Sequence, residues 1–389
     1  MPEDVVLVTD PLEARLLAPE PGRALRIGVV VPTSATLGLL APSALNCAVL
    51  AAAELNAAGG ILGRPVELVL IDGGRPPATV AAEVCGLARA GALSALVGTH
   101  ASDVRVALAY AIGGVLPYVY TPPYEGGERT PGVFLLGETP ERQLRPALDR
   151  LIPGRARRWL LLGNDYVWPR RVHAAARRQL ARAGATVVGE RLVPRGGADP
   201  GALVDLVAAA RVDAVLLSLV GSDLIAFNRA FARSPMAGRV ARVCGALEEN
   251  GLLGAGGDAT GELYASMGYF AALATDEALA FGARYTARFG PDAPVLNAHG
   301  QGAYDGVRLL AALAARAGTL AAPAVDAVAD GTRVEGGRGA FVLRDRHAVQ
   351  PVYLARADGL ELTVIDDGRA VIGDGRGVTD GGRAVIDDG

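Results

Sequence analysis

Lysine is absent from this chain of 389 residues; every one of its 38 basic side chains is arginine. Schiff-base chemistry, pyridoxal phosphate attachment and the phosphate-loop lysine all need an amine that the chain does not carry. Cysteine is nearly as scarce. Cys47, Cys85 and Cys244 are odd in number, far apart and set in apolar stretches. They read as small buried hydrophobes rather than a disulfide framework or a zinc site. The four histidines, His100, His173, His299 and His347, are scattered, and no spacing pairs them with cysteine for metal. Neither a Gly-x-Ser-x-Gly elbow nor a His-Glu-x-x-His helix occurs, so no enzyme class has a residue pattern behind it, and no cofactor or metal is expected. The net charge of −3 lacks the basic excess that neutralises phosphates, which excludes direct nucleic-acid binding as an expectation.

No run reaches 18 uninterrupted apolar residues, so no membrane span is expected. The first residues are acidic at Glu3, Asp4, Asp10 and Glu13, unlike a secretory leader. Taken with Met1 as the natural start, this predicts a cytoplasmic protein; a native leader replaced or missing here would instead place it in the periplasm or outside the cell.

What is present is a chain that is 51% apolar, enough for two cores, with strands and helices in alternation. LRIGVVV is a continuous apolar run, as in a parallel strand buried on both faces. An alanine-rich helix follows and stops at Gly59 and Gly60. PVELVLIDG, ALSALVG and VLPYVYT continue as strands with helices between them. After a Pro- and Gly-rich loop the alternation resumes through RRWLLLGND, ATVVGERLVP, VDAVLLSLVG and VARVCGAL. This predicts an α/β protein of two doubly wound parallel-sheet lobes, with a hinge and a cleft between them. The expected first lobe is 25–138 plus 270–325. The second is 139–269 plus 326–363, including a hairpin from RGAFVLRDRHAVQPVYLARADG. Residues 1–24 form an extension, and 364–389, repeating GRAVIGD-like units, read as a disordered tail.

Ligands of such sheets lie beyond the carboxyl ends of the strands. There the chain carries His100 and Ser102 (VGTHASD), Tyr120 and Thr121 (VYTPPYEGG), Tyr166 and Trp168 (LLGNDYVWP), Ser218 and Ser222 (LLSLVGSD), and the pair Glu248-Glu249. Aromatic walls, hydroxyls and helix-start amides at facing strand ends suit a small polar solute. Two glycine clusters, GAGGDA at Gly254 and GGILGRPVE at Gly59, do not join a strand to a helix in the dinucleotide-binding order and read as turns.

On the stretches LRIGVVVPTSATLG, AELNAAGGILGRPVELVLIDGG, SALVGTHASD, YTPPYEGGERTPGVF, LLGNDYVWPR, VDAVLLSLVGSD and QGAYDGVRLL, the chain resembles the type I periplasmic binding protein superfamily. Within it, the chain looks most like the branch of urea, short-chain amide and branched-chain amino-acid binders, which includes the cytoplasmic amide sensors of aliphatic amidase operons. The resemblance implies two lobes that close on a solute. It implies as ligand contacts His100, Ser102, Tyr120 and Thr121 from the first lobe and Tyr166, Trp168, Ser218 or Ser222, and Glu248 from the second. It also implies a non-enzymatic sensor of an amide, urea or amino-acid-like solute working through an RNA-binding antiterminator, or alternatively the capture subunit of an ABC importer working with a permease. Ala- and Leu-rich helix faces leave room for a homodimer.

Overall fold

The computed structural model describes residues 5–16, 23–154 and 156–366. In chain order the first lobe begins with β1 (Leu7–Val8), α1 (Pro11–Leu16), β2 (Leu25–Val31), a 3-10 helix (Ala35–Leu40), α2 (Ala41–Ala57), β3 (Val66–Asp72), α3 (Pro77–Arg89), β4 (Ala95–Gly98), α4 (Ser102–Ile112), β5 (Tyr118–Tyr120) and β6 (Val133–Leu135). The second lobe follows with α5 (Pro140–Gly154), β7 (Arg158–Asn164), α6 (Val167–Arg182), β8 (Thr186–Val193), α7 (Pro200–Ala210), β9 (Ala214–Ser218), α8 (Gly221–Phe231), β10 (Ala241–Cys244), α9 (Glu249–Ala255) and β11 (Leu263–Met267). The chain then returns to the first lobe with α10 (Asp276–Phe289), α11 (Ala298–Ala317), α12 (Ala322–Ala327), β12 (Arg333–Gly336), β13 (Gly339–Arg344) and β14 (His347–Val349). It ends in the second with β15 (Tyr353–Asp358) and β16 (Glu361–Asp366).

The two sheets run β1-β3-β2-β4-β5-β6-β14-β13-β12 and β16-β15-β11-β10-β9-β7-β8. β2 is buried at all seven positions, as its unbroken apolar run requires of a strand covered on both faces. Among the parallel strands the order reverses between β2 and β4 in the first sheet and between β7 and β9 in the second. The loops at such a reversal diverge to opposite faces and leave a crevice at the strand ends. The crevices of the two sheets face each other across the cleft.

One boundary differs from expectation. The strands over 333–349, placed by sequence in the second lobe, extend the first sheet: β14 pairs with β6 at His347 and Leu135, and β13 and β12 continue outward. Only β15 and β16 join the second sheet, through β11. A short alternating strand fits either sheet edge equally well, so its pattern carries no address. Within the extension 1–24, β1 pairs alongside β3. Pairing continues to Asp366, past the expected loss of order at Thr363; the rest of the predicted tail lies outside the described residues.

Three crossings join the lobes, between β6 and α5, between β11 and α10, and between β14 and β15. Gln350 in the third crossing donates to the carbonyl of Leu136 in the first at 2.6 Å, and Arg142 donates to the Gln350 carbonyl at 2.8 Å. Of the described helices, the stretch Ala35–Ala57 is long and apolar enough to cross a membrane. It is a core element: Ala44, Cys47, Ala48, Ala51 and Ala52 are fully buried within the first lobe.

Candidate functional site

A cavity of about 60 Å³ lies between the lobes, room for a few waters by a measure in which one needs about 15 Å³. Most of the wall comes from the carboxyl ends of strands. Leu37, Leu39 and Leu40 follow β2; His100, Ala101 and Ser102 follow β4; Tyr120, Pro122 and Pro123 end β5. From the second lobe come Tyr166 and Trp168 after β7, Val220, Leu224 and Ile225 after β9, and Ala246 and Glu248 after β10. Among the described residues no arginine lines it, and Glu248 is its one acidic side chain.

Six of the nine expected residues therefore meet in one place: His100, Ser102, Tyr120, Tyr166, Trp168 and Glu248. Three do not. Thr121 is buried beside the cavity, where its hydroxyl donates to the Gly98 carbonyl at 3.2 Å and pairs with Thr99 at 2.7 Å. It ties the ends of β4 and β5 together. Ser218 is fully buried at the end of β9, with no partner for its hydroxyl, and Ser222 is exposed to solvent on α8. The wall at this strand end is made instead by Val220 and Gly221.

The polar groups in the wall differ in what they leave free. His100 is used up: Nδ1 donates to the Ala101 carbonyl at 3.0 Å, so Nε2 accepts from Tyr118 at 3.0 Å. Burial lowers its pKa to about 4, which keeps the ring neutral. Tyr120 donates to the His100 carbonyl at 2.8 Å, so the Ser102 hydroxyl, 3.3 Å away, donates to Tyr120 and turns its lone pairs outward. Glu248 caps α9, accepting from Asn250 N at 2.8 Å and Gly251 N at 2.7 Å, and accepts from Asn297 Nδ2 of the first lobe at 2.7 Å. Burial raises its pKa against those hydrogen bonds.

Among the described helices α4, α6, α8, α9 and α11 begin at this cavity. α9 and α11 are capped by Glu248 and Asn297. α4, α6 and α8 have no side-chain cap. Val104 N of α4 donates to Asp103 Oδ1 at 2.9 Å and Pro169 of α6 has no N–H; among the described residues the other amides of these first turns have no side-chain acceptor, and the helix dipoles favour negative charge at that end. Asp103 of α4 and Asp223 of α8 stand in two of those first turns, outside the cavity wall.

His299 also lines the cavity and was not foreseen as a site residue. It sits in the first turn of α11, which lies close against the rest of its lobe because its glycines allow it. A Cβ at Gly300 would come within 2.4 Å of Ser43 Oγ, and one at Gly306 within 2.7 Å of Val97. The Asn297 cap with its glycine-rich helix start, NAHGQG, was the available signal. Locally it predicts a helix, and only the tertiary return of α11 brings it to the cleft.

The lobes touch around the cavity. Arg195, after β8, pairs with Asp103 of α4 at 2.8 Å and lies over the Tyr166 ring at 5.0 Å. Gly221 has φ +52°, and a Cβ there would fall 2.0 Å from the Thr36 carbonyl of the first lobe. Closure at this point requires glycine.

Two hinged α/β lobes with a hollow at their facing crevices define the class of two-lobed binding proteins. The chain belongs to the periplasmic binding protein family, whose profile matches residues 24–367. Solved structures agree in fold. A solute-binding protein of an ABC transporter from R. palustris in complex with benzoate superposes with a TM-score of 0.75 at 17% identity, covering 88% of this chain and 96% of that one. The branched-chain amino acid transporter substrate binding protein LivJ from Streptococcus pneumoniae, in complex with isoleucine, gives 0.75 at 20% identity over 88% and 100%. A solute-binding protein from Rhodopseudomonas palustris HaA2 with p-hydroxybenzoic acid gives 0.75 at 19% identity over 88% and 97%.

Proposed function

We propose that the chain is the solute-capturing subunit of an ABC importer, acting outside the cytoplasmic membrane, and that its solute is a small carboxylate with a largely apolar body. The observation that carries this is the set of uncapped starts of α4, α6 and α8 at the cavity, with the backbone amide of Ser102 among them. A carboxylate accepts the hydrogen bonds those amides leave unmade. The body of the solute meets Leu37, Leu40, Leu224, Ile225 and the aromatic faces of Tyr166 and Trp168. Benzoate, p-hydroxybenzoic acid and isoleucine, the solutes named for similar structures, all carry a carboxylate. For an amino acid, Glu248 is the one wall group that offers its ammonium an anion.

No catalytic role is proposed: among the described residues the serine of the wall, Ser102, is hydrogen-bonded to Tyr120 and not to a histidine. The reading as a cytoplasmic sensor of an amide or urea, coupled to an RNA-binding antiterminator, rests on loop resemblance alone and stands behind the importer. Thermal-shift titration separates the two. Benzoate or isoleucine at millimolar concentration is expected to raise Tm by mass action, with acetamide and urea ineffective. Stabilisation by the amides alone would overturn the carboxylate reading.

A further inference from the structure

Hydrogen-bonding capacity left unspent in a buried wall points to what the wall is built to meet. His299 is 7% exposed and lines the cavity. The other histidines all have partners: His100 holds Ala101 and Tyr118, His173 holds Glu190, and His347 holds Tyr124. Among the described residues neither ring nitrogen of His299 makes a hydrogen bond, and burial alone, with no contribution from a charge or a hydrogen bond, pushes its pKa down to about 4. At neutral pH it is an uncharged imidazole with one N–H to give and one lone pair to receive.

An uncharged imidazole is a poor counter-ion for either a second carboxylate or an ammonium. It matches a group that can donate and accept at once. Resting on the carboxylate reading above, we propose that His299 is a specificity-determining residue that hydrogen-bonds a hydroxyl on the solute, so that the cavity selects hydroxylated carboxylates over their unsubstituted parents. A site that buries such groups discriminates strongly against a solute that leaves them unpaired.

The test is calorimetric titration of the full chain with matched pairs: benzoate against 3- and 4-hydroxybenzoate, and 3-methylbutanoate against 2-hydroxy-3-methylbutanoate. In the wild-type protein at least one hydroxylated acid is expected to bind about tenfold more tightly than its parent, or about 1.4 kcal/mol. His299→Phe is expected to bring that ratio close to one, and His299→Gln, which keeps a donor and an acceptor, to retain most of it. Melting temperatures of both variants report that they fold. The wild-type ratios decide by themselves if a variant does not: parents that bind as tightly as every hydroxylated acid overturn the proposal. So does a preference that survives in a folded His299→Phe. Binding of the acids with no change in ratio sinks only the role of His299. Failure of every acid to bind sinks the carboxylate reading and this inference with it.

Discussion

Tyr166, the N-cap of α6, and Trp168 in its first turn supply flat apolar surface to the cavity, with Arg195 laid over the Tyr166 ring at 5.0 Å. Replacing either with alanine is expected to weaken solute binding by about 1 kcal/mol or more, through lost stacking and admission of water. Calorimetric titration checks this, and unchanged affinity in both variants would contradict the site. A second prediction concerns Glu249. It is buried, accepts from Ala271 N at 2.6 Å and has no partner for Oε2. Burial, helped by the neighbouring charge of Glu248, raises its pKa to about 8. The folded state therefore holds a proton that the unfolded state releases above about pH 4.5. The stabilisation is complete below that pH and is lost as pH rises towards 8. Glu249→Gln is expected to remove this loss, raising Tm at pH 8 relative to pH 5 when compared with wild type. An identical pH profile in the two proteins would refute it.

At the same scale, sequence and structure part company over histidine. His100 follows a strand, where ligands are expected, yet its ring is spent on Ala101 and Tyr118. His299 begins a helix far along the chain and is the one left open. Spacing reports which residues stand at a strand end, whereas which nitrogen is already occupied depends on a tyrosine 18 positions away.

Among the elements, the helices matter most for where they start. The alternating pattern was enough to place the loops after β2, β4, β5, β7, β9 and β10, and those loops do build the cavity. It was not enough to assign β12–β14, whose short alternating strands suit the edge of either sheet. Nor did it reveal that β9 hands over to α8 through Gly221, turning Ser222 out to solvent. Gly221 carries its own prediction. Its φ of +52° and the 2.0 Å approach of a Cβ to the Thr36 carbonyl mean that Gly221→Val obstructs the contact between α8 and the 3-10 helix. The variant is expected to fold with two intact lobes but to close poorly, with solute affinity reduced about tenfold or more. Small-angle scattering with and without solute checks it, and full compaction of the variant on binding would contradict it.

For the whole molecule, closure is distributed over contacts on both sides of the cavity. Arg195 bridges to Asp103, and Glu248 bridges to Asn297. The first pair is partly exposed and contributes about 1 kcal/mol or less. Arg195→Ala is accordingly expected to lower solute affinity only a few-fold, chiefly through faster release, as stopped-flow kinetics would report. A loss of a hundredfold would mean that Arg195 contacts the solute itself.

The central claim is that a small carboxylate sits between the lobes with its head at the uncapped helix starts, and a crystal structure of the protein grown with benzoate or isoleucine tests it most directly. The account predicts density in the cavity, with the carboxylate at the first amides of α4 beside Ser102 and the body between Tyr166 and Trp168. Density for the acid outside the cleft, or a carboxylate turned away from α4, would contradict it.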